Sequence, residues 1–425
     1  MNRVYPRHAV NLDAGAFGRY LRLLADGELG EGEQLTAFEK AFAEHLGASA
    51  CVAVASARAG FYLTLKALEI GGGGEVIMPA YTFPSMPAAV VAAGARPVFV
   101  DVDPETYNLD PALAREAASK RTRAIVAAHL FGRAADVESL SAICRENDIA
   151  LLEDCAHSAG VKSGEGFVGT FGEAGFFSFG IGKNMPCFGG GAVTFSDRET
   201  AARVRKLVYS SPPPDHLKIH AKVLGALPPW LLTRRSVFPW TLYIAARVLS
   251  SMDSDVMDRS VEEPVEETTK FSLRSLGRMA NIQAAVGLDQ IVELTARNAK
   301  LAANGRRLAE AIRDVPTVKA PDIPPGELEH IYLYFRILVP EADRFRKEIL
   351  RKGIDTQPDD MRNCAGLEAF SDYAAECPVA AGLPAKSIEL PNNTSMTQSD
   401  VDYVAEAVRE TAEKLSNAKP AGASS

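Results

Sequence analysis

The sequence of 425 residues reads as an α/β protein built on a mainly parallel sheet, with a large domain followed by a smaller α+β domain. Three observations carry that reading. Short apolar runs alternate with helical patterns between residues 51 and 210. The connections between those runs are long enough to hold helices, as parallel neighbours require. After residue 270 a long helical pattern leads into a second, shorter alternation of strand and helix.

Residues 1–50 form an N-terminal helical segment with two helical patterns. In the second, over residues 34–46, Leu35, Phe38, Phe42 and Leu46 recur at helical spacing. The glycine-rich stretch before it, residues 27–32, is a turn. The large domain, residues 51–210, opens on an apolar strand at 51–55, followed by the small-residue turn Ser56-Ala57-Arg58-Ala59-Gly60 and an amphipathic helix through Leu68. A small-residue turn feeding a helix N-terminus is a ready anion site, because unpaired backbone N–H groups and the helix dipole both favour negative charge. A strand at 75–79 precedes Ala80-Tyr81-Thr82-Phe83-Pro84 and a helix through Ala93. Residues 96–101, 123–130 and 149–154 are three further strands, with a helix over 137–146 among their connections. His129, at the end of the second, reads as a satisfied strand-end histidine or as a neighbour of a site. Strands at 174–179 and 192–196 complete the sheet, and a helix over 198–209 follows.

Residues 211–269 read as an insertion. Ser211-Pro212-Pro213-Pro214 breaks the preceding helix. Two apolar stretches, near 223–232 and 237–249, carry both tryptophans, Trp230 and Trp240, with Arg234-Arg235 between them. Glu262, Glu263, Glu266 and Glu267 close it. Three roles fit: cover for a subunit or active-site surface, a basic aromatic hairpin making peripheral membrane contact, or a stabilising cap. Connecting helices occupy 270–315, with a continuous helical region from near Arg278 to about Ile312. The small domain, 316–417, reads as a strand over 331–339, a helix over 341–352, a second strand or turn at 354–358 and a final helix over 399–415 with Ser399 as N-cap. Asn392 and Asn393 read as turn residues, and 418–425 as a disordered tail.

Composition narrows the function classes. A formal net charge of −8, with both signs spread along the chain, argues against nucleic acid as a partner. Six cysteines without a C-x-x-C pair, several in apolar runs, fit reduced thiols and a cytoplasmic setting. The first fifteen residues lack the apolar core of a secretory signal. No stretch reaches the roughly 18 to 20 apolar residues that span a bilayer.

Chemistry concentrates between residues 151 and 195. The strand ending at 154 delivers Glu153 and Asp154 to its carboxyl end, where ligands of open α/β sheets bind. The run ending at Ser178-Phe179 is followed by Gly180-Ile181-Gly182-Lys183, so a lysine sits in a loop just past a strand. A lysine amine holds an aldehyde as a Schiff base, and a buried carboxylate keeps a pyridine nitrogen protonated, which is what pyridoxal 5′-phosphate (PLP) demands. Taken alone, the pair also fits a solvated loop lysine and a strand-end cap.

The neighbours decide between these. Glu153-Asp154-Cys155-Ala156-His157, then Ser178-Phe179-x-x-x-Lys183-Asn184, then Gly189-Gly190-Gly191-Ala192-Val193 resemble the core motifs of the DegT/DnrJ/EryC1/StrS family of PLP-dependent sugar aminotransferases, from about Gly27 to Glu410. The resemblance implies fold type I, with a sheet of the seven-stranded type and a homodimer. It makes Lys183 the Schiff-base lysine and proton shuttle and Asp154 the partner of the pyridinium nitrogen. His157 then stands beside the ring where glutamine is commoner, Ser178 contacts the phosphate and Phe83 stacks on the open ring face. No metal is implied. The family's Ser-Gly-Thr phosphate turn is here Ser56-Ala57-Arg58, with Arg58 expected to supply a charge in place of the lost hydroxyl. The asparagine that reaches the neighbouring subunit's phosphate is here Leu276, for which Asn281 or Arg278 are candidate substitutes. The histidine-tyrosine pair of the substrate pocket is replaced within Thr356-Gln357-Pro358-Asp359. The implied reaction moves an amino group from glutamate or glutamine to a nucleotide-linked keto-deoxysugar. Alternatives are a keto-cyclitol, a membrane-associated or lipid-linked acceptor, or a non-catalytic PLP-binding regulator.

Overall fold

The computed structural model describes residues 3–252 and 268–417. Seven short strands form the central sheet: β1 (Ala50–Val54), β2 (Glu75–Pro79), β3 (Arg96–Val100), β4 (Thr122–Ala128), β5 (Ala150–Asp154), β6 (Ala174–Ser178) and β7 (Gly191–Phe195). Their order across the sheet is β1-β7-β6-β5-β4-β2-β3. The five strands from β6 to β3 are parallel neighbours, and β7 runs antiparallel to both β1 and β6. The last strand of the large domain in chain order is therefore inserted one place from the sheet's edge.

Both faces of the sheet are covered, so its strands read as nearly continuous apolar runs. Alternate residues divide between two cores. Val76, Met78, Val126 and Leu152 join the main core, while Ile77, Ile125 and Leu151 pack with Leu140 and Ile143 of the helix Val137–Asn147. This is the period-2 alternation of a strand with two buried faces. Among the helices, α1 (Ala14–Asp26) is capped by Asp13 and closed by Gly27 in the left-handed region, a position that favours glycine. Next come α2 (Gln34–Leu46) and α3 (Ala57–Ala67).

The structure corrects the reading of residues 56–60 as a turn. Helix α3 begins at Ala57, and Ser56 caps it by accepting from the Ala59 amide at 3.2 Å. Small side chains there permit close packing. A Cβ at Gly191 would lie 2.6 Å from both the Ala57 nitrogen and the Phe177 oxygen, so the α3 N-terminus rests directly on the β6–β7 ladder.

The long helix α4 (Asn281–Ile312, 32 residues) spans about 48 Å. Its first turns pack in the main core and its last residues, Leu308, Ala309 and Ile312, in the small-domain core. That domain has a three-stranded antiparallel sheet, β8 (Phe335–Leu338), β10 (Ser387–Leu390) and β9 (Gln357–Pro358) in that order, flanked by the helices Ala342–Arg351 and Gln398–Asn417.

Three small-domain expectations change. The strand expected over 331–339 pairs only from Phe335, because Tyr332 adopts φ 48° and breaks the ladder. Thr397, not Ser399, caps the last helix: the Thr397 amide donates to Asp400 and the Asp400 amide to the Thr397 hydroxyl. Asn392 is a buried clamp rather than a turn residue, donating to the carbonyls of Leu301 and Tyr332.

The insertion forms the helix His216–Leu232, a short turn at Phe238–Trp240 and the helix Leu242–Met252. Trp230 packs on Phe17 with ring centroids 5.0 Å apart and donates to the Leu12 carbonyl, while Arg234 stacks over its ring at 3.8 Å. Arg235 grips Asp400 with two bonds of 2.7 Å. The insertion thus ties the N-terminal segment to the small domain. Leu217, Leu224, Leu227 and Leu231 share an exposed face of its first helix. Glu262, Glu263, Glu266, Glu267 and the tail from 418 lie outside the described residues. Among the described residues no helix is long and apolar enough to cross a membrane.

Replacing Gly191 by alanine is expected to cost about 1–3 kcal/mol through overpacking and to push α3 away from the ladder. Denaturant melts of the G191A variant check it, and unchanged stability would contradict the close approach.

Candidate active site

A cavity of about 230 Å³ opens at the carboxyl ends of β4, β5 and β6, and Ser56, Ala57, Arg58, Phe83, Asp154, His157, Ser178 and Lys183 all border it. Several separate stretches of chain meet there, and three of them bring most of these groups. The N-terminus of α3 brings the first group, the end of β5 brings Asp154, and the end of β6 brings Ser178 and the loop to Lys183. The pairing of Ser178 with Gly191 across β6 and β7 holds the last two against α3.

Successive strand residues point to opposite faces, and the end of β5 uses both. Asp154 faces the cavity. Glu153 is fully buried on the other side, where its carboxylate accepts from the amides of Gly169, Phe171 and Gly172 at 2.7–2.9 Å. His129 joins it, Nε2 lying 3.2 Å from Glu153 while Nδ1 accepts from the Ala135 amide. His129 is thus a satisfied strand-end histidine that also borders the cavity. With Cys155 it forms a tight His-Glu-Cys group, but these bonds already occupy the imidazole and the carboxylate, and burial pushes the Cys155 thiol well up.

The two central groups perturb each other. Burial raises Asp154 above the ordinary carboxylate range, opposed by the Ala156 amide and by the positive charge of Lys183. Burial lowers the Lys183 ammonium, opposed by the carboxylates of Asp360, Asp154 and Glu389. The Lys183 amine lies 3.3 Å from the Tyr334 hydroxyl, which also donates to the Gly182 carbonyl at 3.2 Å. The loop beyond Lys183 is pinned by α4, whose Arg297 donates to the Asn184 carbonyl and whose Asn298 accepts from the Asn184 amide group.

His157 is buried and its imidazole held neutral, well below the ordinary range, first by burial and then by the charges of Lys183 and Arg336. Its Nδ1 accepts from the Phe131 amide at 3.3 Å, and the Tyr334 ring packs edge-on against it at 4.8 Å. Phe83 is half-buried at the cavity wall. At the phosphate end, the Ala57 and Arg58 amides belong to the first turn of α3 and have no intrahelical acceptor.

Sequence reasoning missed Tyr334 and Asp360. Tyr334 lies in the stretch expected to continue a strand, and Asp360 lies one residue past the departure noted at Asp359. One expectation fails: Asn281 is buried in its own chain, accepting from the Gln34 amide and donating to the Glu28 carbonyl, so it is spent where a neighbouring subunit's phosphate would need it. Arg278 pairs with Glu31. A larger cleft of about 370 Å³ between the N-terminal segment, the insertion and α4 holds Arg234, Arg235 and Arg297, each already engaged by Trp230, Asp400 and Glu293 respectively.

The family model described as the DegT/DnrJ/EryC1/StrS aminotransferase family matches residues 13–226 and 245–409. The unmatched part of the insertion is therefore narrower than 211–269. The spore coat polysaccharide biosynthesis protein SpsC of Bacillus subtilis (strain 168) is 29% identical over 400 residues, covering 91% of this chain and 92% of its own. The L-glutamine:scyllo-inosose aminotransferase of Streptomyces griseus is 30% identical over 304 residues, covering 72% of this chain and 62% of its own. The solved structure of DesI in the presence of its TDP-sugar product superposes with a TM-score of 0.72 at 25% identity, covering 98% of this chain and 95% of that one. With the lysine, the aspartate and the helix N-terminus converging on one cavity, the chain belongs to the DegT/DnrJ/EryC1/StrS aminotransferase family and is an aminotransferase of the fold type I α/β architecture.

Proposed function

We propose that this aminotransferase holds PLP in the cavity at the β4–β6 edge, takes its amino group from glutamate or glutamine and delivers it to the keto group of a nucleotide-linked deoxysugar. One observation carries the reading: Lys183 and Asp154 face a single cavity that also contains a free helix N-terminus. The donor set fits the cofactor. The amides of Ala57 and Arg58, with the Ser178 hydroxyl and the Arg58 guanidinium, suit a phosphate dianion. Asp154 suits a pyridinium nitrogen and Lys183 an aldehyde. Phe83 and His157 supply flat faces for an aromatic ring.

When bound, PLP supplies the electron sink that lets an amine and a ketone exchange through proton transfer. The protein supplies the rest. Lys183, its ammonium destabilised by burial, takes the proton from the amine-bearing carbon in one half-reaction and returns it in the other. Tyr334 holds that amine at a fixed place between transfers. Asp154 keeps its charge opposite, and Phe83 excludes water.

The acceptor reading draws support from the TDP-sugar product named for the DesI structure. A keto-cyclitol is the second reading, favoured by the scyllo-inosose named for the S. griseus relative. We further propose a homodimer and, on the six free and buried cysteines, a cytoplasmic setting.

Changing Lys183 to alanine is expected to lower transamination on the order of 10⁴-fold or more while leaving the thermal melt in place. Turnover by K183A close to wild type would sink the assignment. Uptake of PLP by the ligand-free protein is expected to accelerate with rising pH as the Lys183 ammonium loses its proton and the free amine can attack the aldehyde. Its limb should lie below the ordinary lysine value, because burial disfavours the charged form. A limb at or above that value in a stopped-flow pH series would contradict the desolvated site.

A further inference from the structure

One guanidinium meets three carboxylates beside the cavity. Arg336, on β8 and 2% exposed, places one terminal nitrogen 2.8 Å from Asp360 Oδ1 and 3.3 Å from Glu389 Oε2, and the other 3.7 Å from Asp359 Oδ1. Two of the three carboxylates are turned inward. Asp359 accepts from the Tyr81 hydroxyl and the Met361 amide, and Glu389 Oε1 lies 3.1 Å from His8 Nδ1. Burial pushes the Glu389 carboxyl up to about 8 and raises Asp359 above the ordinary carboxylate range.

Asp360 differs from the others. Its side chain is 33% exposed and borders the same cavity as Lys183 and His157. Arg336 fixes one of its oxygens, and among the described residues Oδ2 has no hydrogen-bond partner. A carboxylate oxygen only accepts, so its complement is a hydrogen-bond donor. An acceptor-only oxygen also repels the oxygens of a phosphate or a carboxylate placed against it. A neutral ring bearing hydroxyl groups satisfies both conditions.

We propose that Asp360, oriented by Arg336, selects the acceptor by taking a ring hydroxyl of a polyhydroxylated ketone, so that the keto carbon is presented to Lys183. The proposal rests on the aminotransferase reading above and adds the residue that discriminates among acceptors. Keto-sugars and keto-cyclitols share this chemistry, and the two arms of the test separate them.

The test uses PLP-loaded wild type and the variants D360N, D360A and D360E. The donor half-reaction is followed as bleaching of the bound cofactor's colour by glutamate or glutamine. Acceptor kinetics are measured with scyllo-inosose in one arm and a TDP-linked keto-deoxysugar in the other. D360N and D360A should raise KM for the accepted ketone about 10- to 100-fold, the range for a hydrogen bond to a charged group, with kcat changed far less. D360E should recover part of the loss. Bleaching should proceed in every variant, which establishes that each is folded and loaded.

An unchanged KM in D360N overturns the proposal. So does an equal loss in both half-reactions, which would assign Asp360 a structural role through Arg336. A wild type that bleaches with donor yet aminates neither ketone also overturns it. Failure of wild-type bleaching with either donor overturns the aminotransferase reading itself, and this proposal with it.

Discussion

The close approach of the α3 N-terminus to the β6–β7 ladder at Gly191 is the contact on which the site depends. It requires a residue without a side chain, since a Cβ would meet backbone atoms of both neighbours at 2.6 Å. Through it, residues more than a hundred positions apart share one sheet edge. The unpaired amides of α3, the hydroxyl of Ser178 and the loop to Lys183 form one side of the cavity, and β5, paired with β6, sets Asp154 opposite. The antiparallel insertion of β7 between β1 and β6 makes that arrangement possible.

Electrostatics follows from this geometry. A lysine and an aspartate withdrawn from water each lose part of their preference for charge, and each partly restores the other's. The surroundings are then fixed by groups that do no chemistry. Glu153 holds the loop at residues 169–172, Asn184 is tied to α4, and Tyr334 reaches from the small domain to the lysine amine. The small domain thus contributes Asp360 to the cavity wall and Tyr334 to the lysine amine, on either side of Arg336 and its carboxylates.

Much of this was legible in the chain. Short apolar runs between helical patterns located the strands, and the order of the Asp154, Ser178 and Lys183 motifs located the cavity wall. What was not legible depends on distant parts of the chain. Tyr334 sits in an apolar run whose local pattern predicts a strand, and only the left-handed turn at Tyr332 frees it to reach Gly182 and Lys183. Asp360 carries no local signal, because its meaning comes from Arg336 on another strand. Asn392 reads as a turn residue and Asn281 as a candidate for a neighbouring subunit's phosphate, yet both are buried hydrogen-bond clamps. The insertion offered three roles from its composition. Trp230, Arg234 and Arg235 show its inward face holding the N-terminal segment to the small domain, a contact that no periodicity encodes.

The most direct measurement of the central claim is to load the protein with PLP, reduce it with borohydride and map the modified peptide. A buried lysine holding the aldehyde becomes a stable secondary amine under that treatment. A single pyridoxyl group on Lys183 is the predicted result. Labelling of a different lysine, or of none while the protein remains folded, would contradict the site described.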